Sequence, residues 1–121
     1  MYKLMIVDDS NIIRNRIERG FNELQFDLVA TAGDGKTAVE HFKKFKPDII
    51  TMDITMPEMD GLECIQEIMA IDNTVSILVI SALTDEYTGL QALAYGARGF
   101  LYKPFSDEEL MNALNDLVTN P

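Results

Sequence analysis

Five times along the chain a short apolar run gives way to a longer stretch in which apolar residues recur every three or four positions. Residues 3–7 are apolar up to Asp8 and Asp9 and read as a buried strand. Residues 10–24 carry Ile13, Ile17, Phe21 and Leu24 at helical spacing, with Asn11, Arg14 and Glu18 between them. Residues 26–32 read as a second strand, broken by Gly33, Asp34 and Gly35. The next helix, 36–45, is expected to turn Ala38, Phe42 and Phe45 inward and to stop before Pro47. A third strand spans 49–52, with Asp53 at its end, and Gly61 opens a helix that runs to about Ile71. Residues 75–80 are almost wholly apolar, as a central parallel strand must be. The helix at 86–95 is weaker, because Gly89 costs about 1 kcal/mol there relative to Ala. Residues 99–102 make a last strand, and Ser106 with Glu109 has the capping-box form that starts a final helix through Leu110, Leu114 and Leu117.

Strict strand–helix alternation predicts an α/β fold, a doubly wound sandwich with a five-stranded parallel sheet, right-handed crossovers and both faces covered. With no repeat, linker or low-complexity stretch, residues 1–121 read as a single domain. In such a sheet chemistry is expected outside the carboxyl ends of the strands. Asp8, Asp9, Asp53, Ser81 and Lys103 all fall just past predicted strand ends, so separate strands deliver them to one edge.

Charge narrows the partners. The net charge is −10, and it is uneven: residues 1–46 hold eight basic and seven acidic groups, while residues 47–121 hold two basic and thirteen acidic. Such a surface repels a polyanion, so direct nucleic-acid binding is not expected. No apolar run reaches transmembrane length, and the apolar start is too short for a signal peptide, which leaves no membrane role and a cytoplasmic location as the default. The single cysteine, Cys64, excludes an internal disulfide; it and the seven methionines read as packing residues. His41, on the outer side of its predicted helix, reads as solvated.

Three carboxylates brought together repel one another, and a hard divalent cation resolves the conflict; oxygen ligands suit Mg²⁺, with Mn²⁺ as a second choice. Mg²⁺ commonly takes one or two carboxylates plus phosphate oxygens, so the edge reads as a phosphoryl site. Asp53 would be the nucleophile that forms an acyl phosphate, with Lys103 and the Ser81 hydroxyl holding the phosphoryl oxygens.

These residues carry a resemblance. The stretches 6–10 (IVDDS), 52–61 (MDITMPEMDG), Ser81-Ala82 and Lys103-Pro104-Phe105, in this order and spacing, resemble the bacterial response-regulator receiver family over nearly the whole chain. That resemblance implies a flavodoxin-like (βα)5 fold with strand order 2-1-3-4-5, phosphorylation on Asp53, and a Mg²⁺ site made by Asp8, Asp9, Asp53 and the Thr55 backbone carbonyl. It places Phe100 where the family keeps a rotating aromatic, here without a tyrosine hydroxyl. It also implies a cis bond at Lys103-Pro104. Thr55 and Leu83 fall at the two positions that flank the water attacking the phosphoryl group, and neither carries an amide or carboxylate.

The partners so implied are a sensor histidine kinase or histidine phosphotransfer protein as donor. The output protein or domain would meet the helix–strand–helix face from residue 86 to about 118. The chain would be no enzyme toward outside substrates. Two other readings fit less well. A dehalogenase-type aspartyl-phosphate phosphatase wants a second aspartate where Thr55 stands, and a flavodoxin-like cofactor binder wants a Gly-rich or Ser/Thr-rich phosphate loop where Asp8 and Asp9 stand. A phosphorylation-independent interaction module would not need the full set of acids.

Overall fold

The computed structural model describes residues 1–21, 24–54, 56, 59–82 and 86–119. Thr55 and Leu83, and with them the expectations placed on them, lie outside the described residues.

Among the described residues five strands and five helices alternate: β1 Tyr2–Val7, α1 Asn11–Gly20, β2 Phe26–Ala32, α2 Gly35–Phe45, β3 Ile49–Asp53, α3 Gly61–Ile71, β4 Ser76–Ala82, α4 Glu86–Ala94, β5 Gly99–Lys103 and α5 Asp107–Thr119. All four strand pairings are parallel, and the order is β2-β1-β3-β4-β5. Alternation along each strand builds a core on either face. Met5, Val7, Ile50, Met52, Ile77 and Val79 join Ala38 and Phe42 of α2, Cys64, Ile65 and Ile68 of α3, and Ala92 of α4. Leu4, Ile6, Ile49, Leu78 and Ile80 face Ile17 of α1 and Leu110, Leu114 and Leu117 of α5. Each fully buried leucine or isoleucine stabilises the fold by about 1.5–3 kcal/mol over its exposed state.

Short polar side chains start the helices. Ser10 Oγ accepts from Ile13 N–H at 3.3 Å, Asp34 from Thr37 N–H at 2.8 Å and Asp60 from Glu63 N–H at 2.9 Å. The capping box forms in both directions: Ser106 Oγ accepts from Glu109 N–H at 3.0 Å, and Glu109 Oε1 accepts from Ser106 N–H at 3.2 Å.

Several expectations are corrected. The first helix ends at Gly20, short of residue 24. A Cβ on Gly20 would lie 2.9 Å from Asp107 Oδ1 and 3.1 Å from Leu110 Cδ2, so α5 packs closely there, and Phe21 turns to extended backbone. Leu24 is consequently not on the helix face and is 90% exposed. Phe45 is also exposed; its ring meets His41 edge-on at 5.8 Å. His41 is half-buried rather than solvated, with Nδ1 2.9 Å from the Thr31 carbonyl oxygen. α2 closes on Lys46, left-handed at φ 47, whose N–H donates to the Phe42 carbonyl, with Pro47 following. Finally, β4 runs to Ala82, so Ser81 lies inside the strand and not past its end, and Asp53 and Lys103, expected just past theirs, are the last residues of β3 and β5.

Candidate functional site

The strand ends are brought level by register. Asp53 pairs with Ile80, Ser81 with Tyr102 and Ala82 with Lys103. Asp53 and Lys103 are therefore the last residues of β3 and β5, and β1 delivers Asp8 and Asp9 directly after Val7. Lys103 Nζ lies 3.3 Å from Asp53 Oδ1 and 3.3 Å from Asp8 Oδ2, bridging the outer strand to the two inner ones. The peptide bond from Lys103 to Pro104 is cis, as expected.

Asp8 and Asp53 are buried, whereas Asp9 is exposed. A carboxylate oxygen from each of the three lies within 4.8 Å of the other two. Asp8 Oδ1 accepts from Ser10 N–H at 2.9 Å, whereas Asp8 Oδ2 accepts no hydrogen bond among the described residues and is ion-paired to Lys103. Burial pushes the Asp53 carboxyl up to about 6, with the Asp8 charge adding to the rise and Lys103 opposing it. For Lys103 the largest influence is burial, which lowers its pKa. The charges of Asp53 and Asp8 together outweigh it, and the net shift is upward. This edge concentrates more negative charge than its one lysine neutralises. Buried acids with an unsatisfied carboxylate oxygen, beside an exposed third acid, are a donor set that fits a hard divalent cation.

The close approach that shapes this edge comes from a glycine. A Cβ on Gly61 would lie 2.6 Å from Ile54 Cα and 3.1 Å from the Asp53 carbonyl carbon, and Gly61 N–H donates to Ile54 O at 2.7 Å. A side chain there would push α3 away from the end of β3.

The expected residues are not all joined. Ser81 is buried at the same edge, but its hydroxyl donates to the Ala82 carbonyl at 3.3 Å, with no hydrogen bond to Asp53 or Lys103. Phe100 is half-buried between α4 and Tyr102, its ring centroid 5.4 Å from that of Tyr102. Two arginines went unassigned in the sequence. Arg14 donates to the Asp8 backbone carbonyl and to Asn11 Oδ1, bringing a cation beside the acids; its position three residues after Asn11 was the available signal. Arg16 donates to the Phe105 carbonyl and stacks over the Phe105 ring at 5.4 Å, tying α1 to the turn after Lys103.

A parallel sheet of this order, with acids and a lysine converging at its carboxyl edge, is the architecture of a response regulator receiver. The family model "Response regulator receiver domain" matches residues 4–115, and the chain belongs to that family. Within it the chain is CheY-like. It is 41% identical to chemotaxis protein CheY of Listeria monocytogenes over 114 residues, covering 94% of this chain and 96% of the relative. It is 40% identical over 113 residues to chemotaxis protein CheY of Thermotoga maritima, covering 93% and 94%. Among solved structures it is similar to a chain of the CheX-CheY-BeF3-Mg complex from Borrelia burgdorferi. That match has a TM-score of 0.87 and 34% identity, over 98% of this chain and 87% of that one. No helix among the described residues is long and apolar enough to cross a membrane.

Proposed function

We propose that this receiver, taken as the single domain 1–121, accepts a phosphoryl group on Asp53 and thereby changes the partner preference of its α4-β5-α5 face. One observation carries the reading: the buried Asp53 carboxylate lies 3.3 Å from Lys103 and is crowded by Asp8 and Asp9 at the open edge of the sheet. At neutral pH a group with a pKa of about 6 is mostly ionised, so Asp53 presents a nucleophilic oxygen. That oxygen attacks phosphorus; the bond from phosphorus to the donor's histidine nitrogen breaks, and the histidine leaves with the electron pair. The donor is a sensor histidine kinase or a histidine phosphotransfer protein. Lys103 stays within reach of the phosphoryl oxygens and offsets their charge. Ser81 releases a long bond to the Ala82 carbonyl and turns its hydroxyl to them.

Asp8, Asp9 and Asp53, with the Thr55 carbonyl, would hold Mg²⁺ (or Mn²⁺). When bound, the ion neutralises carboxylate and phosphoryl charge that Lys103 alone leaves uncompensated. The movement of Ser81 and Phe100 then shifts the population of arrangements at α4 and β5, where Tyr87 and Leu90 are 74% and 65% exposed and meet an output protein or domain. Nothing outside the chain is turned over; the domain serves only its own phosphorylation and dephosphorylation, in the cytoplasm.

Acetyl phosphate with Mg²⁺, followed by intact-mass measurement, tests this. The parent should gain one phosphoryl group, Asp53→Asn none, and Asp9→Ala far less than the parent. Undiminished labelling of Asp9→Ala would remove the metal assignment, and undiminished labelling of Asp53→Asn the phosphoacceptor. Partner binding that survives Asp53→Asn unchanged would favour a phosphorylation-independent module.

A further inference from the structure

α4 contains a glycine that its backbone does not need. Gly89 is buried in the helix, and Gly96 is the only glycine among the described residues with positive φ. Glycine in a helix interior costs stability relative to alanine, so its presence calls for a reason of space. The reason is Phe100. A Cβ built on Gly89 would fall inside the Phe100 ring, overlapping Cζ and Cε1 and lying 2.6 Å from Cε2. The ring therefore lies directly on the α4 backbone, in a notch that any side chain would fill. At Gly61, by contrast, a Cβ would meet the backbone of Asp53 and Ile54, which cannot move aside. At Gly89 the obstacle is the far end of one side chain, which can swing away about χ1.

The ring in the notch also forms part of a cavity of about 370 Å³, together with Leu90, Leu93 and Tyr102. Leu90 and Leu93 are exposed, so this cavity opens on the surface assigned above to the output partner. β5 carries Phe100 three residues before Lys103, on the strand whose end holds Asp8 and Asp53.

We propose that Gly89 is a positioning residue for Phe100: the missing side chain creates the seat in which the ring rests, and occupancy of that seat holds the domain in its unphosphorylated arrangement. Departure of the ring from Gly89 reshapes the Leu90–Leu93–Tyr102 cavity and accompanies the movement of Ser81. The coupling to Asp53 rests on the phosphoacceptor reading; the seat itself does not.

The test is a double-mutant cycle between Gly89→Ala and Phe100→Ala, with two readouts. In thermal unfolding, an alanine at 89 should raise Tm by about 4 °C in the Phe100→Ala background, as expected for glycine replaced in a helix, and give no such gain in the parent. An equal gain in both backgrounds would overturn the seat. A purely structural role would stop there. The second readout is fluorine NMR on protein labelled with fluorophenylalanine, with the Phe100 signal assigned by its loss in Phe100→Leu. Without ligand, the Phe100 signal of Gly89→Ala should move toward the position that the parent adopts with beryllofluoride and Mg²⁺. The variant should also bind beryllofluoride several-fold tighter, and this gain should vanish in the Phe100→Ala background. An unmoved signal in Gly89→Ala would overturn the seat, and a moved signal with unchanged affinity would overturn its coupling to Asp53. If the parent binds no beryllofluoride, the phosphoacceptor reading fails, while the Tm cycle still decides the seat.

Discussion

α4 and α5 flank the same strand, β5, yet they are held in different ways. α5 sends Leu110, Leu114 and Leu117 into the core, none more than 4% exposed, and its first turn is closed by the reciprocal Ser106–Glu109 bonds. α4 has nine residues; among those whose burial is described only Gly89 and Ala92 are buried, and Tyr87, Leu90 and Leu93 are exposed. Three buried leucines contribute several times the stabilisation of one buried alanine. The sheet edge that carries Asp53 and Lys103 is thus flanked by a helix that is costly to move and another that is cheap to move. A switch built on this fold would move α4 and keep α5 as its reference.

The widest gap should appear on truncation. Leu114→Ala should lose about 2–5 kcal/mol of unfolding free energy in urea melts, whereas Leu93→Ala should stay within about 0.5 kcal/mol of the parent. A large loss in Leu93→Ala would mean that α4 is anchored as firmly as α5. The next effect concerns the acids at the carboxyl edge of the sheet. Folding raises the Asp53 pKa to about 6, above its value near 3.9 in the unfolded chain. The stabilisation linked to that proton is therefore complete below about pH 4 and is lost as pH rises through about 6. The Asp53 contribution alone should favour the metal-free fold less at pH 7.5 than at pH 4, by up to about 3 kcal/mol, and Asp53→Asn should remove that part of the dependence. Identical pH profiles for the two proteins would show that Asp53 is not strained in the folded state.

Smaller effects sharpen the contrast. A Thr55→Asn, Leu83→Glu double mutant should release phosphate roughly tenfold faster than the parent in Mg²⁺, equivalent to about 1.4 kcal/mol of barrier, because the new polar groups can orient the attacking water. Equal release would place neither residue beside the phosphoryl group. Ser106→Ala should lose about 1 kcal/mol in stability, read in urea melts, with phosphorylation unchanged, since the Ser106 hydroxyl caps Glu109 N–H and makes no hydrogen bond to Asp53 or Lys103. Altered labelling of that variant would show that α5 also takes part in the switch.

Much of this was legible in the residues. The strands were legible because a two-sided parallel sheet demands unbroken apolar runs such as Ile77 to Ile80. The final helix was legible because its capping box and its leucines at helical spacing agree. The acids and Lys103 could be placed together because each falls at a strand end, and topology does the rest. What failed was whatever depends on a distant neighbour. Leu24 and Phe45 keep helical spacing, but α1 ends at Gly20 with Phe21 extended, and Phe45 leaves its ring exposed. His41 read as solvated because nothing local signals the Thr31 carbonyl ten residues earlier. Gly89 read only as a weakness in its helix; the ring that occupies its space comes from another strand.

Amide hydrogen exchange in Mg²⁺, with and without beryllofluoride, tests the central claim most directly, because it reads both helices in one protein. Protection should change most in residues 82–102, covering α4 and β5, while α5 at 107–119 exchanges as before, and Asp53→Asn should show no change on adding beryllofluoride. Exchange that is unaltered everywhere, or altered only in α1, would contradict the account.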